Sequence, residues 1–271
     1  MCSVYKIALA LMLLCGSLFA AAPLRVCADP NNLPFSNMQQ QGFENALAQM
    51  VGRDLHRQIK FVWWPQRARF MEKRLKARTC DVLMGVASSF DLMLTTRPYY
   101  RSSYVFVSRR DRHIRVASLT DPVLKKYRIG VHVIGDEGET VPPAQELSDH
   151  GMVRNIVWYS LYGHPLDANP AAELISGVEH GDVDVAIAWG PLAGYFAQKS
   201  SVPLTLTPVC SPHSAGSLPS TFEVSMAVQP GNEALRRQLN GIIVRRHSQI
   251  RRLLASYGIP LLPLGAQKGC R

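Results

Sequence analysis

The stretch Leu94-Thr95-Thr96-Arg97-Pro98-Tyr99-Tyr100-Arg101-Ser102-Ser103-Tyr104-Val105-Phe106-Val107 constrains the fold of this chain more than any other. Pro98 pushes Arg97 out of helical geometry, so the stretch opens as a loop. Tyr104, Val105, Phe106 and Val107 are strong strand formers, so it closes as a strand. A basic run, Arg109-Arg110-Asp111-Arg112, ends it abruptly. One complete α/β unit precedes this stretch and a second follows it. We read it as the strand by which the chain leaves one lobe and enters another.

The unit before it alternates strands and helices. Leu24 to Ala28 reads as a strand, stopped by the turn formers Asp29-Pro30-Asn31-Asn32-Leu33-Pro34. After Gly42, Phe43, Leu47, Met50, Val51 and Leu55 recur at helical spacing and make one apolar stripe. A second strand over Ile59 to Trp64 stops at Pro65. A helix over Gln66 to Arg78 and a strand over Cys80 to Gly85 follow. Such a β-α-β-α-β run predicts a parallel sheet covered by helices. With the third strand on the far side of the first, right-handed crossovers give the order 2-1-3. Ligands of open α/β sheets sit beyond the carboxyl ends of the strands at that switch point. Asp29, Asn31, Leu33 and Phe35 then face Gly85, Ala87, Ser88 and Ser89, and Trp64 ends the neighbouring strand.

The second unit repeats the plan. Strands are predicted over Tyr127–Val133, Val153–Tyr159 and Val183–Trp189, and helices over Ala144–His150 and Ala171–His180, the last ended by Gly181. Gly190-Pro191 reads as the halt of the third strand, and Leu204–Thr207 as a further short strand. Phe222 to Val228 reads as the return crossover. A helix runs from Glu233 to about Arg246, and Ser248 opens a last one through Ser256, stopped at Gly258. The expected fold is a two-lobed α/β binding-protein fold. Each lobe is a helix-covered, mostly parallel sheet, and two hinge strands join them. Residues 23–108 with 222–271 form lobe I and residues 109–221 form lobe II.

The N-terminus reads as an export signal. Lys6 precedes an apolar run, Ile7 to Phe19, and Ala20-Ala21-Ala22 offers a cleavage site. The run is too short to span a bilayer, so residues 1–22 are expected to be removed and the mature chain to be periplasmic, not membrane-spanning. Cys2 and Cys15 leave with it. Cys27, Cys80, Cys210 and Cys270 remain, an even number that suggests disulfides. None is spaced closely enough for a zinc site. Cys27 and Cys80 fall on neighbouring strands and can bridge if their Cα atoms lie within roughly 7 Å; Cys210 would then pair with Cys270.

The formal charge of +10 is unevenly spread. Residues 23–112 carry 15 Lys/Arg against 7 Asp/Glu, residues 113–210 carry 6 against 11, and residues 211–271 carry 8 against 2. An exported chain meets little nucleic acid. Its basic thirds therefore suit an acidic partner or lipid headgroups, or simply solvate helix faces.

Five features coincide: the export signal, β-α-β-α-β, Pro98-Tyr99-Tyr100 before a crossover strand, Gly181-Asp182-Val183-Asp184 before another, and the terminal Leu254-Ala255-Ser256-Tyr257-Gly258-Ile259-Pro260. Together they resemble a periplasmic solute-binding protein of the polar amino-acid type. Four blocks narrow the resemblance: Leu24 to Asn37, Trp63-Trp64-Pro65-Gln66-Arg67, Cys80 to Val86, and Leu94 to Phe106. These look like the J proteins of methanol dehydrogenase operons (MxaJ/XoxJ type), the quinoprotein dehydrogenase-associated binding proteins. The resemblance implies a periplasmic accessory factor for a pyrroloquinoline quinone enzyme. It does not imply that this chain binds the quinone, and no cofactor is expected.

One departure bears on the ligand. Amino-acid binders of the wider superfamily usually place an Arg shortly after the third strand to clamp the ligand carboxylate, a bidentate task that suits guanidinium. Here the segment is Ala87-Ser88-Ser89-Phe90-Asp91, with an acid where the Arg would fall. Gly135-Asp136-Glu137 replaces the usual Gly-Thr-Thr of the second lobe. Both argue against an ordinary amino acid.

Phe35, Trp64, Tyr99, Trp158 and Trp189 are candidates to line an interlobe pocket, or else pack as core. Tyr99 and Tyr100 also suit a hinge brace. Asp29 suits a ligand amine or a turn cap. Arg67, Arg97 and Arg101 flank the cleft and suit steering of an acidic surface. Ser88 and Ser89 lack a His-Asp pair, and His132, His164, His180 and His213 are too dispersed for a metal. No catalytic residue and no metal ligand is therefore nominated. Three functions compete: a binding-fold factor that assists the maturation or activation of a quinoprotein methanol (alcohol) dehydrogenase, an ABC transport receptor for a small non-amino-acid solute, and an enzyme. The first leads, with either a small molecule or a peptide segment in the cleft. The third needs a pKa-shifted acid there, for which Glu137 is the sequence's nominee, and is not expected.

Overall fold

The computed structural model describes residues 21–64, 77–134, 139–161, 169–210 and 219–265. β1 (Leu24–Ala28) is almost wholly buried. It turns at Asp29, whose Oδ1 accepts a hydrogen bond from the Asn31 backbone N–H at 2.8 Å. The short strands β2 (Asn31–Asn32) and β3 (Ser36–Asn37) then pair with each other. α1 (Phe43–Leu55) follows. Its first turn is tied back by Asn45 Oδ1, which accepts from the Gly42 N–H at 3.1 Å. Phe43, Leu47 and Val51 are fully buried along its stripe.

β4 (Ile59–Trp63) pairs in parallel with β1, Leu24 beside Ile59 through Ala28 beside Trp63. β5 (Val82–Ala87) pairs in parallel on the other side of β1. The order β4-β1-β5 is the expected 2-1-3. The helix predicted over Gln66 to Arg78 falls, up to residue 76, outside the described residues.

β6 (Leu94–Thr95) is a two-residue strand. β7 (Tyr100–Arg109) is the crossover. Its first half, Tyr100 to Ser103, bonds to one set of strands, and its second half, from Tyr104 on, to another. The hydrogen-bonded path is therefore continuous through a single strand that changes partners at Ser103–Tyr104.

The second sheet holds β8 (Ile129–Ile134), β9 (Glu139–Thr140), β10 (Ile156–Ser160) and β11 (Val185–Trp189), in the order β10-β8-β11-β7. α2 (Pro142–Asp149) and α3 (Glu173–His180) cover it, and α3 ends on Gly181 at φ +80°, a left-handed cap that glycine adopts without strain. The strand predicted from Val153 begins only at Ile156. Val153–Asn155 instead form one 3₁₀ turn, held to the preceding segment by the Asn155 side-chain amide, which shares its two hydrogens among the carbonyls of Leu124, Lys125 and Tyr127.

Gly190-Pro191 is a second correction. It halts β11 but also opens α4 (Gly190–Lys199). Proline is at home in a first helical turn, where its missing N–H has no intrahelical partner to lose.

β12 (Leu204–Pro208) lies antiparallel to β7. β13 (Thr221–Val228) returns the chain and pairs antiparallel with β5, β6 and the first half of β7. α5 (Glu233–Arg245) and α6 (His247–Ser256) close the fold. α5 is capped by Asn232, whose side chain accepts from the Leu235 N–H. α6 has no side-chain cap: Ser248 lies inside it, and Arg246 stands at its start. Gly258, at φ +71°, follows as the stop.

Packing follows these partnerships. Phe43, Leu47 and Val51 of α1 share one core with Leu239, Ile242, Ile250 and Leu254 of the two C-terminal helices. Arg246 clamps Asp54 of α1 at 2.6 Å across the same junction. In the second sheet the pleat sends Val185 and Ile187 to one face, beside Ala144 and Leu147, and Ala186 and Ala188 to the other, beside Leu174 and Leu192.

Candidate functional site

A cavity of about 420 Å³ opens where the two sheets meet. That size suits a small-molecule site. The chain before the crossover contributes Asn32, Phe35, Glu44 and Gly85; β7 itself contributes Tyr100 and Tyr104; the chain after it contributes His132, Ile187 and Trp189; β13 adds Phe222 and Val224. One wall is a group of edge-on rings: Tyr104 and Trp189 have centroids 5.4 Å apart, and Trp189 and Phe222 5.7 Å. Such edge-to-face contacts hold aromatic side chains in fixed orientation. Among the described lining residues there is no Lys or Arg.

Two polar side chains dominate this apolar lining. Glu44 is the second residue of α1 and is 6% exposed. Gly85 of β5 makes room for it: a Cβ at that position would come within 2.1 Å of Glu44 Oε1. Burial, reinforced by the nearby Asp29 carboxylate, pushes the Glu44 carboxyl up from 4.5 to about 8. Within the described residues its carboxyl makes no hydrogen bond and no ion pair.

His132 of β8 is 3% exposed and reaches the cavity from the other side. Burial pushes its imidazole down from 6.5 to about 4, against a weaker opposing effect from a hydrogen bond to the Ala171 backbone. That bond favours the protonated ring, so the Ala171 carbonyl accepts from it. Nε2 is buried with no hydrogen-bond partner among the described residues.

The residues singled out in the sequence separate into groups. Phe35, Gly85 and Trp189 line the cavity. Asp29 is buried at the turn after β1, close enough to Glu44 to raise it. Asn31 lies in β2, beside the lining residue Asn32. Leu33 faces a separate groove with Tyr195 and Tyr257. Trp64 is 3% exposed and packs on the Cys27–Cys80 bridge with Leu83 and Met93. Tyr99 is in the core beneath the crossover, its hydroxyl donating to the Met84 carbonyl at 2.8 Å.

Ser88 Oγ pairs with Ser225 Oγ at 2.7 Å and donates to the Glu223 carbonyl, tying the end of β5 to β13. Trp158 is 43% exposed on β10. Arg97 is exposed, and its backbone N–H is held by Asn240. Glu137 and Arg67 lie outside the described residues. The residues that carry most of the site's electrostatics, Glu44 and His132, were not nominated as ligand contacts from the sequence. An acidic residue in the first helical turn ordinarily reads as a dipole partner facing water. Only its place just after the switch-point loop could have drawn attention to it.

Cys27 and Cys80 form a disulfide with Cα atoms 5.5 Å apart, as the strand order predicted. Cys210 is also disulfide-bonded; its expected partner, Cys270, lies outside the described residues. No group of three or more His, Cys, Asp or Glu side chains among the described residues is arranged to hold a metal. No described helix is long and apolar enough to cross a membrane.

Residues 24–258 match the family of bacterial extracellular solute-binding proteins, family 3. Protein MoxJ of Methylorubrum extorquens is 31% identical over 255 residues, 90% of this chain and 83% of that protein. The crystal structure of the periplasmic binding protein XoxJ from Methylobacterium extorquens AM1 superposes with a TM-score of 0.71 at 36% identity, over 89% of this chain and 99% of that one. MxaJ from Methlophaga aminisulfidivorans gives 0.76 at 28% identity, over 88% and 100%.

Proposed function

The chain belongs to family 3 of the bacterial extracellular solute-binding proteins, as an MxaJ/XoxJ-type binding protein, and we propose that it is an exported periplasmic factor that associates with a pyrroloquinoline quinone-dependent methanol (alcohol) dehydrogenase and assists its maturation or activation. The four sequence blocks that resemble J proteins, and the similarity to MoxJ, XoxJ and MxaJ over most of the chain, support this reading. The observation that carries it is the cavity. It lies where the two sheets meet and has no cation among its described lining residues to clamp a carboxylate, so ordinary amino-acid transport fits it poorly.

We read the chain as a binding protein rather than an enzyme. Glu44 is a shifted acid, but no nucleophile or second acid-base group stands in hydrogen-bond contact with it among the described residues. The test is to produce the dehydrogenase of the same organism with and without this chain and compare active fractions. A lower active fraction without it is the expected result, and equal activity in both would remove the reading. The cavity itself favours a second reading, an ABC transport receptor for a small non-amino-acid solute. That reading requires growth on the solute to fail when the chain is deleted.

A further inference from the structure

Glu44 and His132 face one apolar cavity from opposite halves of the molecule; among the described residues the buried His132 Nε2 has no hydrogen-bond partner and the Glu44 carboxyl no hydrogen bond or ion pair. A buried donor or acceptor left unmade costs free energy, and native structures leave few of them. Their chemistry narrows what would satisfy them. The Ala171 carbonyl takes the ring hydrogen of His132, so Nε2 presents a lone pair. The Glu44 carboxylate offers only acceptors once ionised. Asp29 adds a second carboxylate nearby, and no Lys or Arg stands among the described lining residues. Among the described residues the lining therefore offers acceptors and ionisable carboxyls but no cationic side chain to hold an anion. Tyr100, Tyr104 and Trp189 supply aromatic surface, which attracts cations. The N-terminal end of α1, where Glu44 sits, favours its ionised form.

We propose that the cavity binds a small organic cation, a primary ammonium group on an apolar or aromatic body, with its N–H groups on the Glu44 carboxylate and His132 Nε2. The ligand carries no carboxylate, because no described lining residue offers one a cation beside Glu44. This inference rests on the cavity being the ligand site and is independent of the dehydrogenase.

The binding has a proton signature. Glu44 is mostly protonated in the empty protein at pH 7 and ionises when a cation arrives. The groups that act on it are Asp29 from the turn after β1, Tyr99 just before β7 and Tyr100 at its start. Both tyrosines are raised by burial and stay neutral through this range, and His132 stays neutral above about pH 4. Proton release and affinity should therefore follow Glu44.

The experiment is isothermal titration calorimetry of the mature protein with benzylamine, benzyl alcohol and benzoate, at pH 6, 7 and 8, in two buffers of different ionisation enthalpy. Benzylamine is expected to bind, to release nearly one proton at pH 7, and to gain roughly tenfold in affinity from pH 6 to 7. Glu44→Gln, checked for folding by circular dichroism, should lose at least about tenfold in affinity and all proton release, since it removes the charge at constant shape. Benzyl alcohol binding as tightly as the amine, or unchanged binding by Glu44→Gln, would overturn the cation while leaving the cavity a ligand site. Failure of all three probes to titrate at millimolar concentration would overturn both.

Discussion

Gly85 gives up to Glu44 the space its own side chain would fill: a Cβ on Gly85 would stand 2.1 Å from Glu44 Oε1, and its other nearest contacts are also Glu44 carboxyl atoms. The two residues therefore form one device, a strand position emptied so that a carboxyl from α1 reaches the cavity. Gly85→Ala should destabilise the protein by about 1–3 kcal/mol, the usual range for overpacking. The cost should shrink when Glu44 is also replaced by Ala. A double-mutant cycle in urea reads this directly: a coupling near 1 kcal/mol is expected, and strict additivity would mean the carboxyl is not what fills the space.

Glu44 also sets the alkaline side of the stability profile. Its carboxyl is near 4.5 unfolded and about 8 folded, so the native state binds more protons between those values. Stability contributed by the protonated form is full below pH 4.5 and is lost as pH rises through 8. Glu44→Gln should match the parent near pH 5 and exceed it at pH 9, by on the order of 3 kcal/mol. Chemical denaturation at the two pH values tests this, and parallel profiles would contradict it.

His132 has the opposite sign. Its imidazole is near 6.5 unfolded and about 4 folded, so the unfolded state takes up the proton first. Stability is lost as pH falls below 6.5 and the loss levels off below 4. His132→Gln should flatten that acid limb without altering the alkaline one, which thermal unfolding across pH 4 to 7 would show.

The Cys27–Cys80 bridge closes a 53-residue separation, joining β1 to the segment just before β5. Loop-closure entropy puts its worth at about 4 kcal/mol. The double replacement by Ala should lower the denaturation midpoint accordingly, and a loss below about 1 kcal/mol would show that the unfolded chain is already restrained.

What was legible in the sequence, and what was not, follows from range. The crossover strand and the order β4-β1-β5 were readable because Pro98, the strand formers after it and the alternation of strand with helix are local signals. The bridge then followed from strand order. Gly190-Pro191 misled because a stop for one element is also a permitted start for the next, so α4 was missed. Trp64 falls one residue past its strand, which ends at Trp63, and it packs on the disulfide instead of the cavity. Glu44 was hidden for a different reason. Its neighbours in sequence describe an ordinary amphipathic helix, and its burial depends on Gly85 and Asp29, both distant along the chain.

The proposed role stands or falls on association with the dehydrogenase. Surface plasmon resonance of this protein on the quinoprotein methanol dehydrogenase of the same organism, at two salt concentrations, should show binding that forms more slowly at high ionic strength. Replacing the exposed Arg97 and the half-buried Arg101, whose guanidinium donates to the Pro263 carbonyl, by Ala should slow association more than it speeds dissociation, because surface charges steer encounter more than they hold the complex. No detectable association at either salt concentration would contradict the account.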